Sequence, residues 1–329
     1  MSFKRLDPED FLVSIDSVTA TAWSTNSPTL TTFFTSSTTS TNDSYYKNVY
    51  QSATTTSGSA VQFAIAYGNQ YGSGSANFND LVPGVSPTRT VYGQYRNLVY
   101  GSETANFIFG TVTASDFWAI SVDRARYKEH LLKGTFNLEL KNGSSTIKLT
   151  DNSGMVSTDT YLDCGRVYQI VSGSNGVAFS GTGYSPSSGS YGLFLPDIAT
   201  IILNPLALSQ SINLQPSRSS DIDGLNISTL FTAISGAASF QINSEETVTS
   251  DYVFVRARNS EFNYSENPSF ISGSTGDVIY STFINSPQTY MTTVGFYNDT
   301  NDLLAVAKLS KPLVKDFTKE ALVRVKLDF

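Results

Sequence analysis

The sequence is poor in the side chains that carry most enzyme chemistry. One cysteine and one histidine occur in 329 residues. A lone cysteine, Cys164, excludes an intrachain disulfide framework and any cysteine-cluster metal site. A lone histidine leaves a Ser-His-Asp site only His130 to use, and no G-x-S-x-G elbow offers it a nucleophile. Charge is scarce too: charged residues are 15% of the chain, against about a quarter in an ordinary soluble domain. The balance is 21 Lys+Arg to 28 Asp+Glu, a net charge of -7, which lacks the basic footprint of a nucleic-acid binder. No apolar run is long enough to span a bilayer; the longest, Ile198 to Leu208, contains Pro205. The opening MSFKRLDPEDFLV has no apolar signal core, so the expectation is synthesis in a cytoplasm without membrane insertion. There is no fixed-period repeat and no heptad run, which excludes solenoid and coiled-coil architectures.

What fills the gap is Ser, Thr, Asn and Gly, with 18 Tyr and 21 Phe, a composition that favours strands and half-buried sheet surfaces. A surface that is polar without charge suits wide contacts with other subunits, because few charges must be desolvated on association. The plainer reading of the same composition is a turn-rich β protein.

Along the chain, residues 1–56 read as an extended N-terminal arm. The stretch STNSPTLTTFFTSSTTSTNDS has little to bury, yet apolar anchors (Phe11, Val13, Ile15, Val18, Trp23, Leu30, Phe33, Phe34) punctuate the segment, with Phe11, Val13 and Ile15 alternating as in a strand, so the arm is expected to lie over a neighbour or over the body. Residues 57–236 read as a mixed α+β body. Ser59–Asn69, Thr88–Tyr100, the stretch from Asp123 to Leu132 and Asp223–Ile234 are expected helices. Asn142-Gly143 between alternating runs predicts a hairpin. FLPDIATIILNPLAL predicts a buried strand between Pro196 and Pro205, and Gly173–Tyr191 a loop. Residues 237–329 read as a β-rich C-terminal module. The whole is an α+β, β-rich chain of antiparallel sheets, with a few short helices and a C-terminal four-stranded β segment.

No residue pattern completes a site. His130 is placed at a helix end, where capping explains it, and Cys164 is expected as a small core residue. Glu245 and Glu246 are adjacent, so on a strand they face opposite ways; a turn before the next strand is the simpler account. Asp221-Ile222-Asp223-Gly224 and Asn298-Asp299-Thr300-Asn301-Asp302 hold oxygen ligands but do not complete an EF-hand loop. GSGSA at 72–76 and GTGYSPSSGSYG at 181–192 lack the Gly-Lys-Ser/Thr end of a phosphate loop. No cofactor, metal or catalytic residue is expected.

The last 80 residues are the clearest pattern. TYMTTVGFY and LLAVAKL flank the turn NDTND and predict a hairpin that Pro312 ends. ALVRVKLDF alternates Val323, Val325, Leu327 and Phe329 against Leu322, Arg324, Lys326 and Asp328. With DYVFVRARN these make four strands of one antiparallel sheet. Basic residues from Lys308 to Lys326, including Lys315, are interleaved with acids and read as a solvated face.

The same residues, FVRARNSEFNYSENPSFISGS, NSPQTYMTTVGFYNDTNDLLAVAKLSKPL and KEALVRVKLDF, resemble the C-terminal part of structural virion proteins of T4-like contractile-tailed marine phages, including those of cyanobacteria. FKRLDPEDFLVS, GQYRNLVYG and RARYKEHLLKGTFNLEL fit that family as well. TTVGFYNDTNDLLAVAKL resembles, more loosely, phage tail-fibre attachment regions. The resemblance implies a tail or baseplate component, present in several copies in the virion, with other tail proteins as partners and no catalytic residue. Interface anchors expected on that reading are Phe11, Trp23, Phe33 and Phe34 in the arm and Tyr252, Phe262, Tyr264 and Phe270 near the C-terminal strands. The alternatives are a receptor- or glycan-binding appendage, a neck or head-surface protein and, disfavoured by the histidine and carboxylate patterns, a wall-degrading enzyme.

Overall fold

The computed structural model describes residues 3–35, 46–74, 87–217, 225–265 and 267–328. In chain order its strands are β1 (Phe11–Thr21), β2 (Thr29–Leu30), β3 (Tyr46–Tyr50), β4 (Val61–Asn69), β5 (Phe107–Phe109), β6 (Val112–Ala114), β7 (Asp116–Val122), β8 (His130–Leu131), β9 (Asn137–Asn142), β10 (Ser145–Asp151), β11 (Thr160–Leu162), β12 (Gly165–Ser174), β13 (Val177–Ala178), β14 (Gly192–Leu195), β15 (Thr200–Leu203), β16 (Phe240–Gln241), β17 (Asn243–Ala257), β18 (Thr289–Tyr297), β19 (Leu303–Lys315) and β20 (Ala321–Asp328). The helices are α1 (Thr88–Tyr100), α2 (Pro205–Ile212), α3 (Leu225–Ala237) and the single turn α4 (Ser281–Asn285). The chain is thus β-rich with antiparallel sheets and few short helices, as the composition implies.

It divides into two compact units. One comprises Ser17–Glu246, the other Met1–Asp16 together with Thr247–Phe329. The division falls inside β1 and β17, not at residues 56 and 236 where composition changes.

The larger unit is built on one sheet in the order β2-β16-β9-β10-β12-β14-β15-β7-β4-β3, with β11 and β13 added on β12. Strand β7, DFWAISV, shows how the sheet is filled. Alternate side chains leave a strand on opposite faces. Phe117 and Ala119 enter a cluster with Val91, Tyr92 and Val99 of α1. Trp118 and Ile120 enter another with Leu208 and Ile212 of α2 and Ile227, Leu230 and Ile234 of α3. Both faces are covered, so β7 reads as a continuous apolar run, which is the mark of a doubly buried strand.

The same effect corrects the helix expected over Ser59–Asn69. That segment contains β4, paired with β7 from Phe63↔Val122 to Asn69↔Asp116, with Phe63, Ile65 and Tyr67 buried on one face and Ala66 on the other. The helix expected from Asp123 is also absent. Asp123 caps only a 3-10 turn, its Oδ1 accepting from the Ala125 N–H at 3.0 Å, and the chain then extends into β8. There the Leu132 N–H donates to the Asn243 carbonyl at 2.8 Å, so pairing with β17 replaces a helical ladder. The helix over Thr88–Tyr100 forms with those bounds, ended by Gly101 at φ +59. The described part of the Asp223–Ile234 helix is α3, and the Asn142-Gly143 hairpin joins β9 to β10 with Asn142 opposite Ser145. Only part of FLPDIATIILNPLAL is one strand: Pro196–Ile198 is a 3-10 turn between β14 and the fully buried β15, and α2 begins at Pro205.

The N-terminal segment is shared between the two units. Its residues from Ser17 onward belong to the larger unit. Trp23 and Leu30 are 2% and 1% exposed, and the Trp23 Nε1–H donates to the Phe240 carbonyl at 2.9 Å.

The smaller unit holds the four C-terminal strands, but not in one sheet. Strand β17 pairs with β20 from Ser250↔Asp328 to Ala257↔Ala321, and β1 lies on its other side. Among the described residues, strands β18 and β19 pair only with each other. Pro312 does not end β19. The register steps from Thr293↔Lys308 to Met291↔Leu313, so Pro312 sits in a bulge where no ladder hydrogen bond is asked of it.

Candidate functional site

In the larger unit the polar clusters are the places to look for chemistry. His130 on β8 places Nε2 3.0 Å from Glu245 Oε2, and Glu245 Oε1 accepts from the Ser17 hydroxyl. Ser, Glu and His are together, but in the wrong order for nucleophilic catalysis. The hydroxyl lies on the carboxylate, where the imidazole cannot take its proton. Burial pushes the Glu245 carboxyl up, yet the hydrogen bonds from Ser17 and His130 and the Arg166 charge outweigh it and hold its pKa below the glutamate range. A carboxylate held ionised is not a general acid. The trio ties β1, β8 and β17 together. His130 is therefore neither at a helix end nor catalytic in geometry, and Glu245 and Glu246 lie within β17, not in a turn. Their partners differ, His130 for one and Lys128, at 4.0 Å, for the other.

The remaining clusters are satisfied within the chain. Lys133 Nζ lies 2.8 Å and 3.0 Å from the two Asp159 oxygens, and the Tyr168 hydroxyl donates to Asp159 at 2.7 Å. The Lys133 hydrogen bond holds Asp159 low, while burial and that carboxylate push Tyr168 up to about 12. Arg166 clasps Asp197 through its own backbone N–H at 2.7 Å and Nε at 2.9 Å. Asp151 is fully buried, and its oxygens accept from the Gly134 and Ser153 N–H groups at 2.9 Å each. Burial pushes its pKa up, and a carboxylate closing two turns is its evident task. Cys164 is half-buried in the turn between β11 and β12, against the α1-side core, and burial pushes its thiol to about 11. Among the described residues no group of His, Cys, Asp and Glu is arranged to hold a metal. Asp221-Ile222-Asp223-Gly224 and the end of GSGSA lie outside the described residues. The Asn298–Asp302 stretch is a turn knotted on itself: Asn298 Oδ1 accepts from the Asp302 N–H at 2.7 Å and the Thr300 hydroxyl at 2.7 Å.

The smaller unit is unusual in what it does not bury. Among its described residues the buried apolar side chains are Val253, Ala257, Ala321, Val323 and Val325, none larger than valine. None of its described residues belongs to either hydrophobic cluster. Its large apolar residues lie outside: Val13 and Ile15 of β1 are 61% and 70% exposed, and Tyr290, Leu304 and Val306 of the β18–β19 ribbon are 63%, 67% and 57% exposed. A two-stranded ribbon is marginal in water unless packed on something. Residues 267–288 contain no buried residue; Phe270, Tyr280 and Phe283 form a small aromatic group that remains open to solvent, with ring centres 5.6 to 6.1 Å apart. The described buried polar residues of the unit are Ser250, Asn263 and Lys315, and Lys315 is the charged one. Its ammonium donates to the Asn259 carbonyl at 3.1 Å, Asn263 Oδ1 at 2.8 Å and the Asp316 carbonyl at 3.0 Å, fastening the loop that follows β17. It is not part of the solvated basic face expected of it.

The expected interface residues are dispersed. Phe11 is 50% exposed on β1, and Phe34 41% exposed beside β3. Phe33 is half-buried against Phe63, and Trp23, deep in the core, offers no surface. Tyr252 lies half-buried beneath Arg324 and Lys326, 5.4 and 5.9 Å from its ring centre. Phe262 is half-buried at φ +55, Tyr264 is 52% exposed, and Phe270 belongs to the aromatic group above. Aromatic type alone missed the exposed aliphatic residues of β19, Leu303, Leu304 and Val306.

The fold and surfaces define a β-rich protein with one well-filled unit and one that leaves its apolar side chains uncovered. Comparison with known proteins returns no match: no family model, no curated protein and no solved structure is similar to this chain.

Proposed function

We propose that the chain is a non-enzymatic structural component of a contractile phage tail, in the baseplate, that docks onto neighbouring subunits through residues 1–16 and 247–329. The observation that carries the docking reading is the coreless smaller unit. Its described buried apolar side chains are no larger than valine, while the β18–β19 ribbon leaves Tyr290, Leu304 and Val306 open to solvent, so apolar surface remains for a partner to cover. The clusters around Glu245, Asp159, Asp197 and Asp151 support the same reading, since each of these carboxylates is taken by partners within the chain. The virion setting rests on the resemblance carried by the C-terminal segments. On this reading the chain is made in the host cytoplasm, enters the particle in several copies and contacts other tail proteins.

The test is to isolate particles and locate the chain by mass spectrometry and density. The expected result is density in the baseplate with residues 247–329 against neighbouring subunits. Absence from purified particles, or a solvated C-terminal unit within them, overturns the proposal. A glycan-binding appendage is the second reading, favoured by the exposed Tyr264, Tyr280 and Tyr290. Its mark is binding of purified chain to host envelope polysaccharide without other virion proteins.

A further inference from the structure

We propose that the neighbour on one such surface is a second copy of this chain, joined edge to edge so that β1 of one copy pairs with β20 of the next. This rests on the docking reading and names its partner. In the order β1-β17-β20, the central strand is paired on both sides, while β1 and β20 pair with no other strand among the described residues. Each therefore presents a row of unpaired backbone groups, and β1 does so over eleven residues with Val13 and Ile15 largely bare. An exposed, long and apolar edge is a template for strand addition.

The two edges match each other in side-chain pattern. On β20, Val323 and Val325 face one side, and Arg324 and Lys326 the other. On β1, Phe11, Val13 and Ile15 share one side. Asp16 shares the other with the exposed Leu12. Asp16 lies within electrostatic reach of Lys326 inside the chain, consistent with acids and bases on the same side of the sheet. Continuing the sheet from β20 of one copy to β1 of the next sets apolar beside apolar and basic beside acidic. Pairing β1 with β1, or β20 with β20, sets like charges across the junction, which is unfavourable. Asp328, the acid of β20, is already taken by the Ser250 hydroxyl at 2.6 Å and by Lys326 at 2.9 Å. Two different edges joined head to tail form a heterologous interface, which closes into a ring when the rotation between copies allows.

Two full-length variants test this, D16K on one edge and R324E/K326E on the other, with light scattering for mass and circular dichroism for folding. Wild type is expected to associate in proportion to concentration and less at high salt. Each variant alone is expected to associate roughly fivefold more weakly, as a reversed cross-strand charge pair implies. A mixture of the two is expected to regain association, because each supplies the edge the other now needs. Wild type that stays monomeric, variants that associate like wild type, or a mixture that fails to recover would overturn the pairing. Adding purified chain to particles lacking it separates the two readings. A monomer that still incorporates refutes edge pairing alone, and a chain that does neither refutes docking as well.

Discussion

Replacing Trp23 by alanine distinguishes a core residue from an arm anchor. Trp23 is 2% exposed, its ring centre lies 4.9 Å from that of Phe240 and 6.2 Å from that of Phe63, and its Nε1–H donates to the Phe240 carbonyl. Truncating a buried aromatic to alanine costs about 3–5 kcal/mol, and the lost hydrogen bond about 1 kcal/mol. Trp23→Phe separates the two, since it keeps most of the ring volume and loses the donor. Both variants retain a single tryptophan, Trp118, buried in the same unit with its Nε1–H on the Asn226 carbonyl at 2.9 Å. Urea unfolding followed by Trp118 fluorescence therefore reports on residues 17–246. With a slope of roughly 3 kcal/mol per molar, the alanine variant should unfold about 1 M earlier than the phenylalanine variant. Phe11→Ala, at a half-exposed position of β1, should shift that transition by less than about 0.5 kcal/mol. A Trp23→Ala cost below about 1 kcal/mol would refute the placement of this segment in the core.

Three further outcomes follow from the geometry. The depressed pKa of Glu245 stabilises the fold above the ordinary glutamate value, about 4.3, and that contribution disappears as pH falls through the lower folded value. Glu245→Gln should thus be less stable than wild type at pH 7, and the gap should close in acid melts; a gap that widens toward pH 3 contradicts the assignment. Gly192 has φ +155, and an added Cβ would stand 1.9 Å from the Ile202 carbonyl oxygen, so Gly192→Ala should cost more than roughly 3 kcal/mol in a thermal melt or abolish soluble expression. Cys164, with its thiol near pKa 11, should react with an aromatic disulfide at pH 8 on the order of a hundredfold more slowly than free cysteine.

Local chemistry made part of the fold legible. Asn142-Gly143 specifies its hairpin with positive φ at the glycine, and the apolar spacing of Thr88–Tyr100 specifies α1. What was not legible depends on burial on two sides. Val61–Asn69 is apolar on both faces because α1 and α3 cover the sheet from opposite sides, and such a run has no period that separates strand from helix. Trp23 sits beside a Ser- and Thr-rich stretch, and only the distant Phe240 and Phe63 make it core. The division of four alternating strands into two sheets is a matter of pairing partners, and alternation carries no information about partners. The docking surface was half legible: the alternation of Phe11, Val13 and Ile15 marked a strand with an apolar face, whereas alternation does not say whether that face is covered.

The claim that the C-terminal unit is completed from outside is tested most directly by hydrogen exchange of the same chain, free at high dilution and bound in the particle. The account predicts that the β18–β19 ribbon and residues 267–288 exchange fast in the free chain while β4, β7 and β15 stay protected, and that the ribbon and those residues become protected in the particle. Core-like protection of the ribbon in the free chain, or no gain in the particle, would contradict it.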